Sequence, residues 1–195
     1  MIENDEQLEE AAAEAGQLLQ DIQEYLDRDF RPAGKVRFPR GFIKTASYYR
    51  SRIKSFVHDE TVRKNLSYNF MLSNIYLWLL TRTDISSIAA DMVVKAGVVL
   101  AGSLCEGMLQ QALKGVVGRD RSYRDRTTYL AQHNYISNDL RDELNWLWDC
   151  RCNTHVAGVK FSEYSHYKRS LYTRAAKCVA DLVSALNARS KVLAA

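Results

Sequence analysis

Only two prolines interrupt this 195-residue chain, at positions 32 and 39, and none follows. Proline ends helices and marks turns, so its absence from residue 40 onward leaves long helices free to run. Strand-rich folds need many turns, and turns consume glycine and proline, yet the chain holds nine glycines. The scarcity of both predicts an all-α fold, an antiparallel bundle of long helices joined by short loops. Apolar residues make up 47% of the sequence, enough for a buried core and too many for wholesale disorder.

Periodicity and breakers divide the chain further. Residues 5–29 read as an acidic amphipathic helix with Leu8, Ala12, Leu18, Leu19, Ile22, Tyr25 and Leu26 on its stripe. Residues 30–41 contain both prolines and two glycines and form the best internal boundary. Helices are expected over 45–56, 66–81, from a cap at Asp84 or Ser86 to about 114, over 127–133, from Asn138 or Asp139 to about 156, and over 165–193. Residues 115–126 read as a polar break. The last helix should turn Leu171, Ala175, Cys178, Val179, Leu182 and Leu186 inward. The domain expectation is an N-terminal helical extension with a basic linker over 1–84 and a helical bundle over 85–195.

Several classes are set aside. The apolar run Met71–Leu80 is too short to span a bilayer, and Met92–Leu113 carries Lys95 and Glu106, so both read as core helices. The first 29 residues are acidic and do not resemble a signal peptide. Cys105, Cys150, Cys152 and Cys178 fall within helical patterns, against a secreted disulfide framework. These points give the expectation of a cytoplasmic protein with no membrane partner. Cys150, Cys152 and His155 hint at a metal, but residues two apart on a helix face apart and no second ligand pair has zinc spacing. The expectation is no metal and no cofactor.

Charge is distributed unevenly. Of the 23 acidic and 27 basic residues, residues 1–29 hold ten acids and one base, a net −9, which leaves +13 on the rest. A basic body fits an anionic partner such as RNA, or merely a solvated helical surface. Two clusters mix bases with aromatics, as single-stranded RNA would require. One includes Arg37, Arg40 and Arg50 near Phe38, Tyr48 and Tyr49. The other includes Arg121 and Arg124 around Tyr123. The alternative for each is a solvated loop.

The most distinctive string is Leu144-Asn-Trp-Leu-Trp-Asp-Cys-Arg-Cys-Asn-Thr-His155, late in a helix. Arg151 and His155 are four apart and would share a helix face. Arginine offers a planar fork of donors for a phosphate, and histidine moves a proton near neutral pH. That pairing is the minimum for cleaving RNA without a metal, with the ribose 2′-hydroxyl as nucleophile. The bland alternative is a surface pair at a helix end. Trp146 and Trp148 read as core or dimer contacts, and His58, His133 and His166 as surface residues.

Arg151-Cys-Asn153-Thr-His155 resembles the Arg-x-Asn-x-His variant of the HEPN superfamily motif, found at the end of one helix of a helical bundle. The commoner form has a longer spacer and a polar residue where Cys152 stands. Upstream, residues 90–109, an apolar run broken by Glu106, resemble the first long helix of such domains. The match covers about residues 85–190. It implies a metal-independent endoribonuclease of a toxin or phage-defence type, leaving a 2′,3′-cyclic phosphate and a 5′-hydroxyl. Arg151 would hold the scissile phosphate, His155 act as acid/base, Asn153 position one of them, and Glu106 orient Arg151. The resemblance also implies a homodimer with a composite cleft, with Leu144, Leu147 and Trp148 in the contact, and an antitoxin or defence-system partner. Some HEPN toxins carry a modifiable tyrosine two residues after the motif histidine. Ala157 stands there in this chain. The runner-up is a non-catalytic HEPN-like module binding RNA, a nucleotide or a protein, and a third reading is a helical scaffold. Arg151 and His155 are expected outside the inward stripe begun by Leu140, Leu144 and Leu147, so that alanine at either changes stability by about 0.5 kcal/mol or less.

Overall fold

The computed structural model describes residues 1–38, 41–154, 163 and 166–194. Among them are seven α-helices and no strand: α1 (Asp5–Leu26), α2 (Ala46–Ile53), α3 (Glu60–Arg82), α4 (Ser87–Ala112), α5 (Tyr123–Gln132), α6 (Asn138–Cys152) and α7 (Arg169–Ala194). A single 3-10 turn spans Pro32–Gly34.

The chain divides into two compact units, residues 1–40 and 41–195. The division falls at the proline- and glycine-containing segment that the sequence marks as its break. It differs from the expected extension over 1–84, because α2 and α3 belong to the bundle. Tyr49, Ile53, Leu66, Phe70 and Leu80 are buried there, in one core with α4 and α7. In the smaller unit α1 has no buried residue, and Leu8, Leu18, Leu19 and Ile22 are exposed. Asn4 caps α1 by accepting from the Gln7 amide, and Leu26 packs against Gly34.

Helix starts follow short polar caps more closely than the apolar periodicity suggests. Asp59 accepts from the Val62 amide and starts α3 six residues before the expected position. Ser122 and Asp125 form a reciprocal capping box that starts α5 at Tyr123, four residues early. Ser137, rather than Asn138 or Asp139, caps α6. Ser86 precedes α4 as expected, without a side-chain capping bond. Lys168 lies just ahead of α7, which begins at Arg169. The expected loop at 157–161 lies outside the described residues.

α4 is the central helix, packed against α3, α5, α6 and α7. Its length and composition are those of a helix able to cross a membrane, and core helices share both properties. Here Val94, Val98, Leu104, Cys105, Met108 and Leu109 are buried among the neighbouring helices. On α7 the expected inward residues Ala175, Cys178, Val179, Leu182 and Leu186 are buried, with Leu171 packed beside them. The end of α2 is tied to α7, where Asn187 donates to the Arg52 carbonyl at 3.0 Å and Ser55 donates to Asn187 at 2.5 Å.

Close approach to α4 depends on its glycines. A Cβ on Gly97 would overlap the Tyr172 ring of α7, and one on Gly102 would lie 2.9 Å from the Arg151 Cβ of α6. Gly97→Ala is therefore expected to destabilise the protein by about 2–3 kcal/mol through overpacking. Gly16→Ala on α1, where a Cβ meets nothing within 4 Å, should be neutral or favour the helix by about 0.5–1 kcal/mol. Urea unfolding of the two variants checks the contrast. Equal midpoints would show that α7 can retreat from α4 without loss.

Candidate functional site

α6 carries its inward stripe from Leu144 and Leu147, both fully buried, toward its C-terminal turn. Four residues beyond Leu147 comes Arg151, which continues that stripe. This corrects the expectation that Arg151 stands apart from it. The side chain runs over α4 at Gly102, whose missing Cβ makes room for the arginine stem. Its Nε donates to Ser103 Oγ at 3.3 Å, and its Nη2 lies 3.0 Å from Glu106 Oε2. Ser103 and Glu106, three apart, share a face of α4. The guanidinium sits 4.6 Å from the centroid of the Trp148 ring, near enough for a cation–π contact. Trp148 in turn stacks on Tyr123 of α5 at 4.5 Å with an interplanar angle of 7°.

The result is an arginine whose stem packs on Gly102 and whose side chain is only partly exposed. Its side chain is 32% exposed and that of Glu106 28%. Glu106, expected as an orienting partner, is placed for that contact. A guanidinium of this kind presents a planar fork of donors, the geometry that matches an oxyanion.

α6 ends immediately afterward. Asn153 is its C-terminal cap, exposed, with its amide donating to the Asp149 carbonyl at 3.0 Å. The helix thus stops short of the expected end near 156. Thr154 Oγ1 donates to the Arg151 carbonyl at 2.8 Å. His155, the expected acid/base, lies outside the described residues, as do Arg40 and Ala157.

Within the bundle, the described basic candidates lie on different elements. Arg124 donates two hydrogen bonds of 2.7 Å to Asp149 of α6. Arg126 donates to the carbonyls of Arg119 and Arg121 and holds the preceding loop together. Arg121 is exposed. Arg50 is half-buried on α2, which packs on α3 and α7. Arg37 is exposed in the N-terminal unit. Trp146 lies 3.7 Å beneath the Arg174 guanidinium, which is also bidentate to Glu143. Both tryptophans are therefore in contact with arginines of their own chain. His58, His133 and His166 are exposed, as read from sequence. Among the described residues no group of three or more His, Cys, Asp or Glu side chains is arranged to hold a metal.

Sequence reasoning missed Gly102, Ser103 and Asp149, and it placed Tyr123 in a basic cluster rather than against Trp148. Their signal was available only in pairs, since a small residue on α4 matters because of what α6 places opposite it. Burial pushes the Tyr123 hydroxyl's ionisation well above the ordinary phenol range. That hydroxyl is buried and has no hydrogen-bond partner among the described residues. No protein-family model, curated protein or solved structure matches this chain.

Two stability measurements follow. Arg151→Ala should cost about 1–2 kcal/mol, above the surface expectation, because it removes stem packing, an ion pair and a cation–π contact. A double-mutant cycle with Glu106→Gln should return a coupling of about 0.5–1 kcal/mol. Strict additivity would mean that the two side chains do not interact in solution. Tyr123→Phe, which deletes only the unpartnered hydroxyl, should leave stability unchanged or raise it by about 1 kcal/mol. A loss above that size in thermal or urea melts would reveal a partner for the hydroxyl.

Proposed function

We propose that this chain is a HEPN-type, metal-independent endoribonuclease in which Arg151 binds the scissile phosphate and His155 moves the proton. The observation that carries this reading is the posture of Arg151, clamped by Glu106, Ser103 and Trp148 at a helix end with its side chain partly exposed. A phosphate-binding arginine should be pre-aimed, so that little side-chain entropy is lost on binding. In the reaction the ribose 2′-oxygen attacks phosphorus and loses its proton. The bond to the 5′-oxygen breaks, and that oxygen gains a proton. The products are a 2′,3′-cyclic phosphate and a 5′-hydroxyl end, with no net water consumed. Arg151 offsets charge on the phosphate oxygens, His155 transfers a proton, and Asn153 positions one of them. The same resemblance supplies the proposed setting, a cytoplasmic toxin or phage-defence protein acting as a homodimer, with an antitoxin or defence-system partner.

A second reading has its own observation. Arg151 already engages Glu106 and Ser103, as a structural arginine would. On that reading the bundle is a non-catalytic module that binds RNA, a nucleotide or a protein.

Incubation of the purified chain with total RNA in EDTA separates the two. Cleavage is expected, with His155→Ala lowering the rate roughly 100- to 10,000-fold. Arg151→Ala should abolish it in protein that still melts cooperatively. Asn153→Ala should be milder, because an amide cannot take the proton. Arg151→Lys should not restore the parental rate, because an ammonium lacks the fork. Folded alanine variants that cut like the parent would overturn the assignment, and salt-dependent binding without cleavage would favour the second reading. Light scattering at micromolar concentration is expected to show a dimer, and a monomer would count against a composite cleft.

A further inference from the structure

The junction of α2, α3, α4 and α7 is incompletely filled. A cavity of about 190 Å³ opens there, away from Arg151. Protein interiors normally close to crystal-like density. This one stays open because Ala101, Ala176 and Ala180 contribute little side chain to its lining, while the Tyr172 ring covers the place of a Cβ on Gly97. Ile53, Gly97 and Ala101 are buried at its floor, whereas Arg52, Ala176 and Ala180 are exposed and frame its mouth. Tyr49 and Phe70, stacked at 5.0 Å with an interplanar angle of 8°, supply an aromatic wall.

Polar groups converge on this space. The Tyr49 hydroxyl donates to Asn74 Oδ1 at 2.9 Å, and the Tyr172 hydroxyl donates to the Ser73 carbonyl at 2.7 Å. Asn74 Nδ2 donates to the Phe70 carbonyl at 3.3 Å, which leaves it a second hydrogen. Burial raises the ionisation of both tyrosines, so their hydroxyls remain neutral and retain acceptor lone pairs. At the mouth the Arg52 guanidinium lies 5.7 Å from the Tyr48 ring centroid, with a long 3.4 Å contact to its hydroxyl. That weak tether leaves the cation able to turn toward an incoming anion. An apolar cavity of about 150 Å³ is known to admit benzene, so 190 Å³ suits a somewhat larger ring.

We propose that this cavity is a binding site for a small planar aromatic anion, its ring between the Tyr49–Phe70 wall and the Gly97–Ala101 floor and its negative group at Arg52. Apolar walls with few convergent polar groups are the usual make-up of small-molecule sites. The site shares no residue with the Arg151 cluster, so its fate is independent of the RNA-cleavage reading.

The test titrates the full chain with 2-naphthalenesulfonate and follows backbone amide resonances. Saturable shifts at Gly97, Ala101 and Ala180 are expected below about 1 mM ligand. Ala180→Phe places a ring at the exposed mouth, where the fold tolerates it, and should remove binding. Arg52→Ala should weaken the sulfonate 5- to 10-fold and leave the uncharged 2-naphthol unaffected. Shifts that never saturate, or binding that survives Ala180→Phe, would overturn the site. Equal weakening of both ligands by Arg52→Ala would overturn the assignment of the anionic group.

Discussion

The closeness with which helices approach α4 is the constraint on which the rest of the bundle depends. Gly97 lies under the Tyr172 ring, and Gly102 lies under the stem of Arg151. Each glycine exchanges helix propensity, about 1 kcal/mol per residue relative to alanine, for intimate contact with a neighbour. The exchange is favourable only because long apolar faces converge there. Leu144 and Leu147 from α6, and Leu182 and Leu186 from α7, are essentially inaccessible to water in the shared core. Beside the close contact of α7 with α4, the small side chains Ala101, Ala176 and Ala180 leave the open cavity next to Tyr49.

That constraint gives Arg151 its dual character. An arginine on a fully exposed face would lose much rotamer freedom on taking up a phosphate. One buried to its head would pay a desolvation penalty. Packing the stem on Gly102 while the guanidinium meets Glu106, Ser103 and Trp148 avoids both extremes. The Trp148–Tyr123 stack extends the support to α5, and the Arg124–Asp149 pair joins α5 to α6 a second time. The Arg151 cluster is therefore braced by three helices, α4, α5 and α6.

Much of the architecture was legible in the sequence. The lack of proline after residue 39 announced long helices, and the spacing on α7 picked out its buried face. The starts of α3 and α5 were not, because apolar periodicity reports the buried face and is silent on where a polar cap first closes the helix. Asp59 and Ser122 do that work from polar stretches. The boundary at residue 84 failed for a related reason. A short connection between two long apolar helices separates domains only if their faces bury elsewhere, and Leu66 and Phe70 of α3 bury in the same core as α4. At the site, the helix-end placement of Arg151 and its relation to Glu106 were anticipated. Its burial was not, since a charged residue in an apolar register looks like surface until the opposing glycine is known.

The central claim is that Arg151 is held in advance for a phosphate. Its own Nε–H resonance tests this most directly, observed in the free protein and then with an oligonucleotide bearing a 2′-deoxy substitution at every position, which cannot be cleaved by this route. The expected result is a sharp, exchange-protected signal in the free chain, as the bond to Ser103 requires, and a saturable shift on adding the oligonucleotide that weakens as salt is raised. A signal already averaged with solvent in the free chain, or one that stays unmoved while the oligonucleotide binds elsewhere, would contradict it.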